Sequence, residues 1–512
     1  MASSEGTEKS ATNEVGTYAK PVEEAIPKSP DFDDKVKQFV IRKLDSFNIG
    51  HLLLILTGLH LFAISFPNDV SNPGSYYVFD ESYYVPAAKD LLDLVPSNLE
   101  HPFFGKLWGA LGIYLFGNDF FGWRIFYVAI GVLSVWALYE LALNFFSKEK
   151  ALFAASMLGF ETLFFIHTSL DLLEGPAILF ALLGFLAYFK RRYYWAAAAF
   201  GLSVLSKEWG VYFVVVLFLY HVWATKRDPI SKLLSGPSLR RLLLFIVIGF
   251  LVVSIPLWVY DAAYHPYTQT VNTVSTEYIV NPSYGTTVTT TITNSTHSGY
   301  LTNPLQNFLY YFTYASSLRV TQQDIQQYPW VYLPWMWILP FGINPQQYYV
   351  TTVTVTTTGP NNVVLGTKQL HPIDWLGIGN LVVWYSIWIT VPVLIAKALM
   401  KKITQLDALI GAWIFGTYGP TLFEYFAFQR VEYPFYFVNV DPGLALGIPM
   451  VIAFIAPDSL KLQRLLMLFW LGAAIIFFVL FFPVHPLAIF LEQDLIARRE
   501  SRSCSCVSEY SG

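Results

Sequence analysis

Two carboxylates stand side by side in the segment Val78-Phe79-Asp80-Glu81-Ser82-Tyr83-Tyr84, and His-Pro-Phe-Phe-Gly-Lys follows at positions 101–106. The first segment is short, polar and rich in aromatics, and it comes just after the first long apolar run. An unpaired buried carboxylate costs several kcal/mol, so a chain this apolar has little reason to hold Asp80-Glu81 there for stability alone. One reading is a general base beside a sugar or phosphate site. The other is a pair of solvated loop acids.

Further ionisable groups recur at intervals. His101 and Lys106 follow the acid pair, Arg124 opens the second apolar run, and His167, Asp171 and Glu174 share one turn. Lys207-Glu208 and then Glu424, Arg430 and Glu432 occupy two later turns. Acids alone would suit cation transport. Acids mixed with Lys and Arg suit a base that takes a hydroxyl proton, facing cations that stabilise a departing phosphate. Interfacial ion pairs that fix helix packing are the bland alternative.

The elements that must carry these groups are membrane helices. Of 512 residues, 54% are hydrophobic, 17% aromatic and only 13% charged, against about 25% charged in soluble domains. Mean hydropathy is +0.45. A bilayer crossing needs ~20 mainly apolar residues. Eleven runs meet or approach this: 49–66, 120–146, 152–169, 172–189, 193–205, 210–224, 242–260, 375–398, 406–423, 434–455 and 465–482. Leu107–Phe116 is too short to cross and reads as a helix on the membrane surface. The fold class expected is an all-α polytopic membrane protein with a small β-containing external loop domain.

Basic residues set the orientation. Lys35, Lys37, Arg42 and Lys43 precede the first run, and every second loop thereafter is basic, from Lys148/Lys150 to Lys461/Arg464. The N-terminus is therefore expected in the cytosol. The Asp80, Asp171, Lys207 and Arg430 turns are expected outside, together with the C-terminus. This divides the chain into a polar cytosolic lead-in (1–46, without a cleavable signal) and a membrane half (47–260) bearing an external loop at 67–119. An external Thr-rich loop (261–373), further membrane helices (374–484) and a tail (485–512) follow. Gly285–Thr293 and Tyr348–Thr358 have the β-branched composition of strands, and Asn294-Ser295-Thr296 is a glycosylation sequon. A net charge of −4 and the lack of a basic stripe argue against nucleic acid, and Cys504 and Cys506 are the only cysteines. No ligand cluster demands a metal.

Six stretches, in order, resemble the protein O-mannosyltransferase family (dolichyl-phosphate-mannose–protein mannosyltransferases) of the C-type glycosyltransferases. They are Phe79-Asp80-Glu81, His101-Pro102-Phe103-Phe104-Gly105-Lys106, Phe121-Gly122-Trp123-Arg124, the Pro329-Trp330 to Pro334-Trp335-Met336-Trp337 segment, Gly379-Asn380 to Trp384-Tyr385, and Arg430 to Tyr436. The family has eleven helices and an external C-terminus. Leu381 stands where the family has Pro, and loop 261–373 is too short for the β-trefoil domain of eukaryotic members. The resemblance is thus to an archaeal or bacterial type, in a prokaryotic plasma membrane.

The resemblance implies an inverting transfer of mannose from a polyprenyl- or dolichyl-phosphate donor to Ser/Thr hydroxyls of exported proteins, with no cofactor and with dimers common. It implies Asp80 as base, Glu81 orienting acceptor or donor, and Arg124 binding or organising the phosphate side. Lys106, Lys207 and Arg430 are further candidates for the phosphate. His101, Asp171, Glu174, Trp330, Trp335 and Trp337 are candidates for lining the site. A C-type enzyme acting on a lipid or glycan acceptor shares every feature named. A transporter would place acids mid-helix in paired halves, which the sequence lacks.

Overall fold

A computed structural model describes residues 47–67, 77–95, 97–224, 236–263, 268–281, 285–298, 309–311, 313–314, 317–339, 346–358 and 364–485. The expectations for the lead-in 1–46, for the basic loop at 225–235 and for the Cys504/Cys506 tail lie outside the described residues, as do the sequon side chains.

Helices dominate. α1 (Ile49–Ile64) starts at Asn48, whose side-chain oxygen accepts the N–H of Gly50 at 2.9 Å. α2 (Glu81–Leu92) opens directly after Asp80, and a short turn (Phe104–Lys106) leads into α3 (Leu107–Phe116). α3 turns back at Gly117 and packs along α4 (Phe120–Ala142), the next long helix. The run 152–169, expected as one span, is two helices, α5 (Lys148–Gly159) and α6 (Thr162–His167). The break follows from Glu161. Its buried carboxylate accepts the N–H groups of Phe164 and Asn380 at 2.5 and 2.6 Å, so it caps α6 instead of continuing the helix. α7 (Glu174–Phe189) and α8 (Tyr193–Ser206) form a tight antiparallel pair, followed by α9 (Gly210–Ala224) and α10 (Gly236–Ala263).

Two antiparallel hairpins occupy the Thr-rich region, β1 (Thr268–Asn281) with β2 (Gly285–Ser298) and β3 (Gln346–Thr358) with β4 (Val364–Gly377). Between them lie the short helices α11 (Gln322–Gln327) and α12 (Pro329–Tyr332). The run 375–398 opens as strand: Trp375 pairs with Tyr349 in the β3–β4 ladder. Helix resumes only after Asn380, whose side chain caps Val382, as α13 (Leu381–Trp384) and α14 (Ile387–Leu399). α15 (Gln405–Phe428), α16 (Asp441–Ile455) and α17 (Leu460–Leu480) complete the described chain.

Among the described residues, four segments are long and apolar enough to cross a bilayer: Phe120–Ala142, Arg240–Ala263, Leu381–Leu399 and Leu460–Leu480. Ile49–Ile64, Glu174–Phe189, Gly210–Trp223 and Asp441–Ile455 are apolar but shorter. The outward surface agrees with an integral membrane protein. Phe250, Trp258, Phe423 and Phe469 are exposed, a pattern that suits hydrocarbon and not water. The interior is conventional, a continuous cluster that includes Phe164, Phe165, Phe213, Trp413 and Phe437.

Candidate active site

At one end of this helical assembly a cleft of about 360 Å³ opens, lined by Asp80, His101, Lys207, Glu208 and Arg430 among aromatic side chains. Each wall comes from a different part of the chain. Asp80 sits on the turn that starts α2, and the residue before it, Phe79, has φ 57°. A bulky residue in the left-handed region costs of order 1 kcal/mol or more and persists only where its surroundings enforce it. Here the Phe79 ring is stacked on Tyr348 at 3.9 Å and met edge-on by Phe435 at 5.2 Å. Arg430 is presented in the same manner, after Gln429 (φ 53°) at the end of α15. Two backbone bonds to the strand-like segment at Leu318 and Val320 hold that turn in place.

Asp80 makes no capping hydrogen bond to its own helix. Burial pushes its carboxyl above the usual range; Lys207, His101 and His167 oppose that shift and Glu174 adds to it. Lys207 donates to Glu174, and its ammonium lies 4.3 Å from the centre of the Trp209 ring. An ammonium has three donors, and Glu174 occupies one. Glu174 also meets His167 Nδ1 at 3.2 Å. Arg430 reaches Glu424 at 2.6 Å and Glu432 at 3.3 Å, and its guanidinium lies over Trp209 and Tyr436. His101 Nδ1 is 2.8 Å from Glu208 Oε2. Burial works to raise the Glu208 carboxyl, but His101 and Lys207 outweigh it and hold Glu208 below the ordinary value.

The second acid of the pair points elsewhere, because successive helical residues are about 100° apart. Glu81 is fully buried and bidentate with Arg124, at 2.7 and 2.6 Å. The same carboxylate accepts the backbone N–H of Val78 (2.9 Å) and of Asp171 (3.1 Å). Arg124 donates onward to the carbonyls of Ile64 and Phe66. Glu81 and Arg124 therefore stand behind the cleft wall and tie α1, α2, α4 and the Asp171 turn together.

Three comparisons bear on what this cleft does. Residues 100–259 match the family model described as dolichyl-phosphate-mannose-protein mannosyltransferase. The polyprenol-phosphate-mannose–protein mannosyltransferase of Mycolicibacterium smegmatis is 25% identical over 471 residues, covering 82% of this chain and 85% of that protein. The protein of the same name from Mycobacterium tuberculosis is 23% identical over 79% of this chain and 80% of its own length. In fold, the chain resembles the S. cerevisiae protein O-mannosyltransferase Pmt1-Pmt2 complex bound to the sugar donor, with TM-score 0.58 at 11% identity, covering 85% of this chain and 89% of that one. In sequence the chain is similar to the polyprenol-phosphate-mannose–protein mannosyltransferases over most of its length. In fold it is similar to the S. cerevisiae protein.

Within the chain, the stretches singled out in the sequence part company. Asp80, His101, Lys207 and Arg430 meet in the cleft. Lys106 does not line it. It is buried, its ammonium donates to the carbonyls of Asn98 and His101, and burial lowers it to about 7. It thereby staples the loop that carries His101. Asp171 is fully buried behind the wall, where burial pushes its carboxyl well up. Glu174 is one layer back, behind Lys207. Trp337 is buried with its indole N–H on the Val331 carbonyl, Trp335 stacks on Phe426, and Trp330 sits on α12; none of the three lines the cleft.

Glu208, in the Lys207 turn, also lines the cleft. The cleft holds further residues that carry no signal as single positions: Tyr433 and Tyr436 lie inside the Arg430–Tyr436 stretch, so proximity in sequence is the usable signal for them. Tyr348 touches the site only because the β3 hairpin folds back on it. No local pattern announces that contact.

Proposed function

We propose that this protein is an inverting glycosyltransferase that moves mannose from a polyprenyl-phosphate donor to Ser or Thr hydroxyls of exported proteins, with the cleft on the external face of the membrane. The observation that carries the reading is Asp80: a carboxylate with no capping bond of its own, in the same cleft as Lys207 and Arg430. The family match and the two mycobacterial relatives supply donor and acceptor class.

The chemistry follows from charge placement. Asp80 takes the proton of the acceptor hydroxyl as its oxygen bonds to C1 of the sugar, while the bond from C1 to the phosphate oxygen breaks on the opposite side. The proton ends on Asp80 and the electron pair on the lipid phosphate. Lys207, with donors beyond the one given to Glu174, faces that developing charge, and Arg430 adds a second cation. These side chains balance the leaving group, and no cofactor is part of this reading. The Glu81–Arg124 pair organises this site from behind. Asp80, Lys207 and Arg430 are largely buried, so each of these charges acts more strongly than in water.

The topology belongs to the same reading: eleven crossings, a cytosolic N-terminus and an archaeal or bacterial plasma membrane. The S. cerevisiae protein is a Pmt1-Pmt2 complex, so a second copy is a partner to test by mass in detergent. The deciding experiment is purified protein in lipid with polyprenyl-phosphate-mannose and a Ser/Thr-rich peptide, comparing wild type with Asp80→Asn. Mannosylated peptide from wild type alone supports the proposal. Donor consumed without peptide product moves the acceptor to lipid or glycan, and solute flux without transfer points to a transporter.

A further inference from the structure

The β3–β4 ladder is irregular at one residue near the cleft. Gln347 pairs with Leu376 and Tyr349 with Trp375, which leaves Tyr348 without an opposite number. A bulge of this kind re-aims a side chain out of strict alternation. Tyr348 is buried and makes two contacts toward the site. Its ring stacks on Phe79 at 3.9 Å with the planes 10° apart. Its hydroxyl lies 3.0 Å from His167 Nε2. A carboxylate only accepts, so His167 gives its Nδ1–H to Glu174, and its Nε2 stands within hydrogen-bond reach of the Tyr348 hydroxyl. Glu174 in turn holds Lys207. One side chain from the external hairpin thus grips both the left-handed turn that presents Asp80 and the chain His167–Glu174–Lys207. Gly377, on the facing strand, makes this possible. A Cβ there would stand 2.4 Å from the Tyr348 ring.

We infer that Tyr348 is a positioning residue: seating of the β3–β4 hairpin through this side chain sets the Asp80 carboxylate and the Lys207 ammonium in the same cleft. Tyr348 contacts Phe79 on one side and His167 on the other, and its effect passes through them. The kinetic part rests on the proposed transfer reaction, but the placement of Lys207 can be read without it.

The test uses the full-length protein in lipid with Tyr348→Phe, Tyr348→Ala and Gly377→Ala. Tyr348→Phe keeps the stack and loses one hydrogen bond, so kcat/KM for the lipid donor falls about tenfold, with a raised donor KM. Tyr348→Ala loses both contacts and falls further. Gly377→Ala displaces the same ring without removing a polar group, and follows Tyr348→Ala. A merely structural defect would lower the active fraction, and with it kcat, at unchanged KM. The second readout is the reactivity of Lys207 toward an amine-directed reagent, mapped by mass spectrometry. It rises in all three variants. If wild type transfers no mannose, the transfer reading fails and Lys207 labelling alone decides the inference. Wild-type labelling in Tyr348→Ala and Gly377→Ala, or unchanged donor KM in an active Tyr348→Phe, overturns it.

Discussion

At the scale of single residues, the two adjacent acids divide their work. Asp80 faces the cleft and Glu81 faces Arg124. Asp80→Asn keeps shape and removes the proposed base, so turnover should fall ~10²–10⁴-fold. Burial raises the Asp80 carboxyl in the folded protein. A raised folded value means the folded state holds this proton more tightly than the unfolded chain. Ionising Asp80 therefore opposes folding as pH rises through the ordinary carboxylate range. Asp80→Asn should then melt no lower than wild type at neutral pH, which a thermal scan checks directly. The same shift displaces the acidic limb of kcat/KM above the usual carboxylate range. Lys207 and His101 oppose the shift, while Glu174 and burial favour it. Lys207→Met should move the limb higher still; a limb left in place by that variant would remove Asp80 as the titrating base. Glu81→Gln is different in kind. It leaves Arg124 buried without its carboxylate, a change worth about 3–5 kcal/mol, so equilibrium unfolding should show loss of stability before any specific kinetic effect.

At the scale of elements, α3 and α4 illustrate how a surface helix is held. α3 is ten residues long and cannot cross a bilayer, yet its turn into α4 is so tight that a Cβ on Gly112 would lie 1.9 Å from the Gly122 carbonyl oxygen. That oxygen is backbone and cannot swing aside. Gly112→Val should separate the two helices, destabilise the protein by about 1–3 kcal/mol, and loosen the preceding loop, where Lys106 holds the His101 carbonyl. Lower melting temperature together with faster amide exchange in residues 98–106 is the expected result; unchanged exchange there would mean that α3 is not what anchors the loop. The broken helices follow a related rule. Glu161 and Asn380 spend polar groups on capping and on each other, and so end helices inside otherwise apolar runs.

At the scale of the molecule, Asp80, Lys207 and Arg430 all stand at helix ends, where a cleft proposed to receive a membrane-bound donor is reachable from the bilayer surface. The proposed topology puts Ser82 outside and Ser147, beside Lys148, in the cytosol. Both serines are exposed. In a background with Cys504 and Cys506 replaced by Ser, Ser82→Cys should react with an impermeant maleimide in intact cells and Ser147→Cys only after permeabilisation. The reverse pattern would turn the protein over in the membrane and put the cleft on the cytosolic side.

The amino-acid sequence determined the class of this protein, because bilayer-length apolar runs and the scarcity of charge leave few other solutions. It also determined which turns carry ionisable groups, since a charge in so apolar a chain stands out one residue at a time. Asp80, His101, Lys207 and Arg430 were legible for that reason, and they do converge. Only the tertiary structure decided their partners. Whether an acid is a base or a brace depends on which way it leaves its helix and what lies there: Glu81 became a brace because Arg124, 43 positions away, closes on it. Trp330, Trp335 and Trp337 matched a motif, yet none of them lines the cleft: Trp337 is buried against the Val331 carbonyl and Trp335 stacks on Phe426. Tyr348 read only as the start of a strand, and a bulge in a hairpin 181 positions from His167 brings it to the site. Local pattern fixes the elements, and long-range packing assigns the side chains their work.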